Sequence, residues 1–233
     1  MSELLSVATI ILAGLVHASL QLGLGCLLLL YHESMGKHIR ARTRGLVSSF
    51  ISGVGIIVFL LLSTACFLVI NLFESAFSTE ILAVVIGILT ALAIVMWFLY
   101  YKSGKTTELW LPKSVAHFVD NRAKVTNSNT EAFSLGVLTC FAEMPFIMIL
   151  LLVAGNSILE LPVEYRALAV AGYTIVTIIP LIILRLAIRS GKTVVDIQKW
   201  RMKNKTFLRV ISGAGFFILG LFIFAFKFLS PNL

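Results

Sequence analysis

The chain has 233 residues, of which 59% are hydrophobic and 13% charged, with a mean hydropathy of +1.00. Soluble domains carry about 25% charged and about 45–50% apolar residues, so a soluble domain, a disordered or collagen-like chain, a coiled coil and a disulfide-stapled module are excluded. The formal charge of +8 would suit a nucleic-acid partner, but its placement along the chain assigns it to membrane topology instead.

Six nearly uncharged stretches account for the hydropathy: Leu5–Tyr31, Val47–Phe73, Ile81–Tyr101, Ala132–Ala154, Ala167–Ile188 and Phe207–Leu229. Each reaches the roughly 20 residues that a helix needs to cross about 30 Å of hydrocarbon. Within them the charged residues are Glu143, Arg185, Arg209 and Lys227. The last three sit near segment ends, where a long side chain can snorkel to the interface.

The first stretch follows Glu3, where a signal peptide would have a basic region, and its apolar run is about twice a signal peptide's usual length. It is therefore expected to remain as the first transmembrane helix. His17 lies near its middle. With Gly14, Ala18, Gln21 and Gly25 it forms a small, polar stripe at helical spacing. Cys26 follows nine residues after His17. At 100° per residue that leaves half a turn, so an unbroken helix turns Cys26 away from His17. Both serve one centre only if Gly23 and Gly25 interrupt the helix.

The second stretch offers Ser49, Ser52 and Gly53 as candidate path-lining residues. The third is almost wholly apolar and serves as scaffold. The connection 102–131 contains Leu111, Val115, Phe118 and Val119 at helical spacing, with Pro112 near the start. It is expected to lie on the cytoplasmic membrane surface, with Trp110 at headgroup level. The segment Thr193 to Lys205, with Trp200, is expected to do the same.

The fourth stretch carries the most informative residue, Glu143, followed by Pro145. An ionised, unpaired carboxylate at this depth costs several kcal/mol, so Glu143 must be protonated, paired or wet. Gly136, Thr139, Cys140 and Glu143 share one helical stripe. Pro145 removes a backbone hydrogen bond one turn back. The fifth stretch adds Thr174 and Thr177 ahead of Pro180, which is expected to kink the helix. His17, Gln21, Thr139 and Glu143 are thus the candidate substrate- or ion-binding set, with Thr174 and Thr177 joining the path-lining set.

Fifteen of the 19 Lys and Arg residues lie between stretches one and two, three and four, and five and six. The alternate connections hold only Arg166. This positive-inside pattern places three basic loops in the cytoplasm and both termini outside. The fold expected is an all-α integral membrane protein of six transmembrane helices, built as two inverted three-helix repeats. One membrane domain spans 1–233: a first half at 5–101, the amphipathic connection at 102–131 and a second half at 132–229. The self-match of Ile51-Ser52-Gly53-Val54-Gly55 with Ile211-Ser212-Gly213-Ala214-Gly215 points to close helix packing through small residues.

The six-span layout, the basic first loop and the run Ala132-Phe133-Ser134-Leu135-Gly136-Val137-Leu138-Thr139-Cys140 resemble the lysine-exporter superfamily. That group includes the transmembrane thiol–disulfide electron carriers related to cytochrome-c biogenesis proteins. In those carriers one cysteine lies in the first span and one in the fourth, each flanked by prolines. Cys26 and Cys140 match that placement, whereas the flanking prolines are missing apart from Pro145, five residues past Cys140. The resemblance implies the inverted three-plus-three fold more strongly than any substrate.

Three functions follow as expectations. The first is an inner-membrane transporter or exporter of a small solute or ion, working by alternating access around a midplane Glu/His site. The second is a thiol–disulfide electron carrier with Cys26 and Cys140 as its catalytic pair and a thioredoxin-like partner. The third is a non-catalytic membrane assembly protein. The lipid bilayer is the shared partner, a homo-oligomer is left open, and no cofactor, metal site or nucleic-acid partner is expected. No P-loop or Ser/His/Asp set is visible in the sequence.

Overall fold

The computed structural model describes residues 2–20, 23–32, 40–73, 76–98, 113–190 and 193–229. Among them every regular element is a helix: α1 (Ser2–Leu20), α2 (Gly23–His32), α3 (Arg40–Leu72), α4 (Thr79–Phe98), α5 (Lys113–Val125), α6 (Asn129–Leu159), α7 (Val163–Arg189), α8 (Val194–Lys203) and α9 (Lys205–Phe224). A π-turn, Ala225–Leu229, continues α9. Six of these helices, α1, α3, α4, α6, α7 and α9, are long and apolar enough to cross a membrane.

The described residues of the first apolar stretch are helical in α1, up to Leu20, and in α2, from Gly23. α6 continues through Pro145 and α7 through Pro180. Long apolar helices held by neighbours on several sides tolerate the lost bond. Trp110, Leu111 and Pro112 lie outside the described residues, and α5 begins directly after them.

Local chemistry sets the helix ends. The Ser128 hydroxyl accepts the Glu131 N–H at 3.2 Å, and the Glu131 carboxylate accepts the N–H groups of Asn127 and Ser128 at 2.7 and 3.1 Å. This capping box satisfies donors that the first turn of α6 leaves open. At the other end of α6, the Arg166 guanidinium donates to the carbonyls of Leu159 and Leu161 at 2.8 and 3.0 Å. A second capping box, Thr193 with Asp196, opens α8. The Thr193 hydroxyl and backbone N–H hold the Asp196 carboxyl below the usual carboxylate range.

The helix packing is set by small residues. A Cβ on Gly53 would strike the carbonyl of Phe133, and one on Gly136 would strike the carbonyl of Phe50. Further along, Gly155 sits against the backbone of Ala65 and Cys66, 3.2 Å from an added Cβ. Helices α3 and α6 therefore run side by side in the same direction, with backbones in contact at glycine. The sequence self-match falls on this kind of contact at both sites. Gly53 receives Phe133, and Gly213 receives the indole of Trp97, whose Nε1–H donates to the Val210 carbonyl at 3.3 Å. That contact joins α4 to α9, which also packs on α1 through Gly215 against Val16 and through Ser212 Oγ–H donating to the Ser19 carbonyl at 3.3 Å.

The start of α1, the α3–α4 turn, the α6–α7 turn and the π-turn meet at one end of the bundle, joined by Ser6, Phe77, Asn156, Glu160 and Lys227. At the opposite end α2 packs against α3, α5, α6, α7 and α8. There Cys26, Leu27, Leu28 and Leu30 are all buried. The outer surface of the bundle is apolar, with Leu15, Leu60, Phe67, Ile88, Leu168 and Ile218 exposed. Such a perimeter is an aggregation liability in water and suits hydrocarbon. The buried polar residues, among them His17, Thr139, Glu143, Asn156 and Thr177, are inside.

Candidate functional site

Four helices converge on a small cavity in the interior. α1 contributes His17, α3 contributes Val54 and Val58, α6 contributes Thr139, Cys140 and Glu143, and α7 contributes Thr177 and Leu181. Three of the helices present residues at i and i+4 (54 and 58, 139 and 143, 177 and 181), the spacing that puts two side chains on one face. Gln21 is the i+4 position after His17 and lies outside the described residues.

The cavity volume is about 10 Å³, which is room for one water molecule or a bare ion and far too little for an organic solute. Glu143 is 4% exposed and His17 3%. The Thr139 hydroxyl donates back to the Gly136 carbonyl at 2.8 Å and the Thr177 hydroxyl to the Thr174 carbonyl at 2.8 Å. A hydroxyl that donates still has lone pairs with which to accept, and both threonines line the cavity.

Sequence reasoning missed Tyr173. Its hydroxyl lies 3.0 Å from His17 Nδ1, with the two rings tilted at 53° and centroids 5.8 Å apart. Tyr173 is 1% exposed. A tyrosine normally sits at a membrane interface with its hydroxyl wet. One in mid-span, between Gly172 and Thr174, was the available signal of an internal hydrogen-bond partner.

The path-lining candidates divide. Thr177 faces the cavity. Thr174 is half-buried and donates to the Val170 carbonyl at 2.9 Å. Ser49 is half-buried on α3, Ser52 is exposed on the outside of the bundle, and Gly53 is filled by the Phe133 carbonyl. Cys140 lines the cavity, whereas Cys26 is buried on α2. None of the three cysteines forms a disulfide.

A second, larger cavity of about 210 Å³ opens at the end where the α1 start, the α6–α7 turn and the π-turn meet. There the Lys227 ammonium donates to Glu160 Oε1 at 2.6 Å. Ser6 Oγ–H donates to Glu160 Oε2 at 2.7 Å, and Asn156 Nδ2–H to Oε1 at 3.4 Å. Asn156 Oδ1 accepts the Phe77 N–H at 2.8 Å. Among the described residues no group of His, Cys, Asp and Glu has the makings of a metal site.

No protein-family model, curated protein or solved structure matches the chain. The resemblance to the lysine-exporter superfamily therefore rests on the residues quoted for it alone.

Proposed function

We propose that this chain is a small multi-pass membrane transporter in which Glu143 and His17 bind the coupling ion, a proton or a small cation, at the centre of the bundle. The observation that carries this reading is a carboxylate only 4% exposed that shares a one-water cavity with His17, Thr139 and Thr177. A carboxylate in so dry a place exchanges charge only by taking up a proton or a cation. A cavity of this size suits an ion, and in this reading the solute binds in a roomier part of the molecule.

One feature supports alternating access. The helices around the cavity are α1 and α3 from the first half and α6 and α7 from the second, and an inverted three-plus-three repeat would relate α1 to α6 and α3 to α7. Each of those pairs is in contact, as is the third related pair, α4 with α9.

The same reading puts the α2, α5 and α8 end in the cytoplasm of a bacterial-type inner membrane and both chain termini outside, following the charge bias. Single cysteines at Ser2 and Asn204, challenged with an impermeant thiol reagent in intact cells, test the orientation. Label at Ser2 with protection at Asn204 is expected, and the reverse pattern overturns it.

A thiol–disulfide carrier remains the second reading because of one observation: α2, which carries Cys26, packs on α6, which carries Cys140. Under the transporter reading, thiol trapping after oxidant treatment finds Cys26 and Cys140 unlinked, and Cys26→Ser and Cys140→Ser keep activity. A Cys26–Cys140 disulfide, with Cys66→Ser silent, would establish the carrier instead.

The transporter itself is tested in proteoliposomes under an imposed pH gradient, with proton entry followed by a pH-sensitive dye in the lumen. Solute-dependent proton flux is expected from the wild type, and its absence across a broad panel of solutes would count against coupling.

A further inference from the structure

The 210 Å³ cavity has features that the central site does not explain. Its lining combines apolar side chains, Phe77, Phe222 and Phe226 among them, with polar ones, of which the Glu160 carboxylate is the anion. A carboxylate and aromatic rings in one cavity are the groups that hold organic ammonium ions, by charge and by cation–π attraction.

The two members of the Glu160–Lys227 pair are not equally fixed. Glu160 is held at both oxygens, by Ser6 at 2.7 Å and by Asn156 at 3.4 Å, and Asn156 is itself anchored to the Phe77 backbone at 2.8 Å. It also stands at the C-cap of α6, where the helix dipole favours a cation. Lys227 stands on the π-turn at the end of the described chain, and its side chain is 45% exposed against 25% for Glu160. An ion pair this exposed is worth little. The cation is therefore the displaceable partner and the carboxylate is the built site.

We propose that this cavity binds a primary organic ammonium cation at Glu160, and that the Lys227 side chain is a tethered occupant that the ligand displaces. The volume suits a small ligand, since it falls below the range of drug-sized pockets. The ligand's ammonium replaces that of Lys227 on Glu160, and its apolar body lies against Phe77, Phe222 and Phe226. Lys227 then turns outward into solvent, so binding exchanges one ion pair for another and adds apolar burial.

The probe is n-butylammonium, which is the lysine side chain as a free molecule. Isothermal titration on the full chain in detergent compares the wild type with Lys227→Ala. The variant lacks the internal competitor and is expected to bind n-butylammonium about fivefold more tightly, the factor that an exposed ion pair can supply. Adding Glu160→Gln to Lys227→Ala should remove that binding, and sodium butyrate should not bind any of the three. Lys227→Met, which keeps most of the stem's packing, replaces the alanine variant if the latter elutes as an aggregate, with the same outcomes. Equal affinity in the wild type and the Lys227 variant, or undiminished binding after Glu160→Gln, overturns the proposal. Glu143→Gln should leave the binding unchanged, because Glu143 lines the other cavity, so this site stands or falls separately from the coupling site.

Discussion

Gly136→Ala is expected to lower the stability of the bundle by about 3 kcal/mol, the upper range for an overpacked interior, and Gly53→Ala by a similar amount. At both positions the added methyl would meet backbone, the Phe50 carbonyl in one case and the Phe133 carbonyl in the other. No side chain can rotate out of the way. The two helices must separate instead, and they carry Val54, Val58, Thr139, Cys140 and Glu143, most of the wall of the central cavity. A loss of that size is a large fraction of a typical folding free energy of about 5–15 kcal/mol. Gly87→Ala and Gly172→Ala are the matched controls. An added Cβ meets nothing within 4 Å at either, so these variants should be neutral or gain up to about 1 kcal/mol of helix propensity. Thermal unfolding in one detergent distinguishes the cases. If all four variants melt together, the close α3–α6 crossing is not what holds the bundle.

Glu143→Gln is expected to leave folding and membrane insertion intact and to reduce gradient-driven flux in proteoliposomes to that of protein-free vesicles. The amide keeps the size and hydrogen-bonding ability of the acid and removes its titration. Glu143→Ala should have the same effect on flux, with a further stability loss on the order of 1 kcal/mol for the missing interhelical interaction. Tyr173→Phe removes the hydroxyl that lies 3.0 Å from His17 Nδ1. Together with His17→Ala, it should weaken flux and shift its pH dependence without abolishing it. Full flux by Glu143→Gln would reduce this residue to a packing element.

The six long apolar helices were legible because hydrocarbon imposes one demand on every residue of a span, and composition alone records it. The convergence of His17, Thr139, Glu143 and Thr177 on one cavity followed the same logic, since a polar residue in mid-span has nowhere to go but inward. Ser52 shows the limit of that logic. Its hydroxyl can satisfy itself within its own helix and so tolerates the outer surface, and only packing decides which way it points. Pro145 and Pro180 are strong local breakers, yet α6 and α7 run through them, because tertiary contacts override local propensity there. The Glu160–Lys227 pair was out of reach, because it joins residues 67 positions apart through contacts that no periodicity encodes.

The central claim is that Glu143 changes protonation or cation occupancy inside the bundle. Infrared difference spectroscopy of the protein in lipid, titrated with pH, observes this without knowledge of the solute. The predicted result is a carboxylic-acid C=O band that appears and disappears with pH in the wild type and is missing from the difference spectrum of Glu143→Gln. A spectrum in which Glu143→Gln removes no titrating band would contradict the claim.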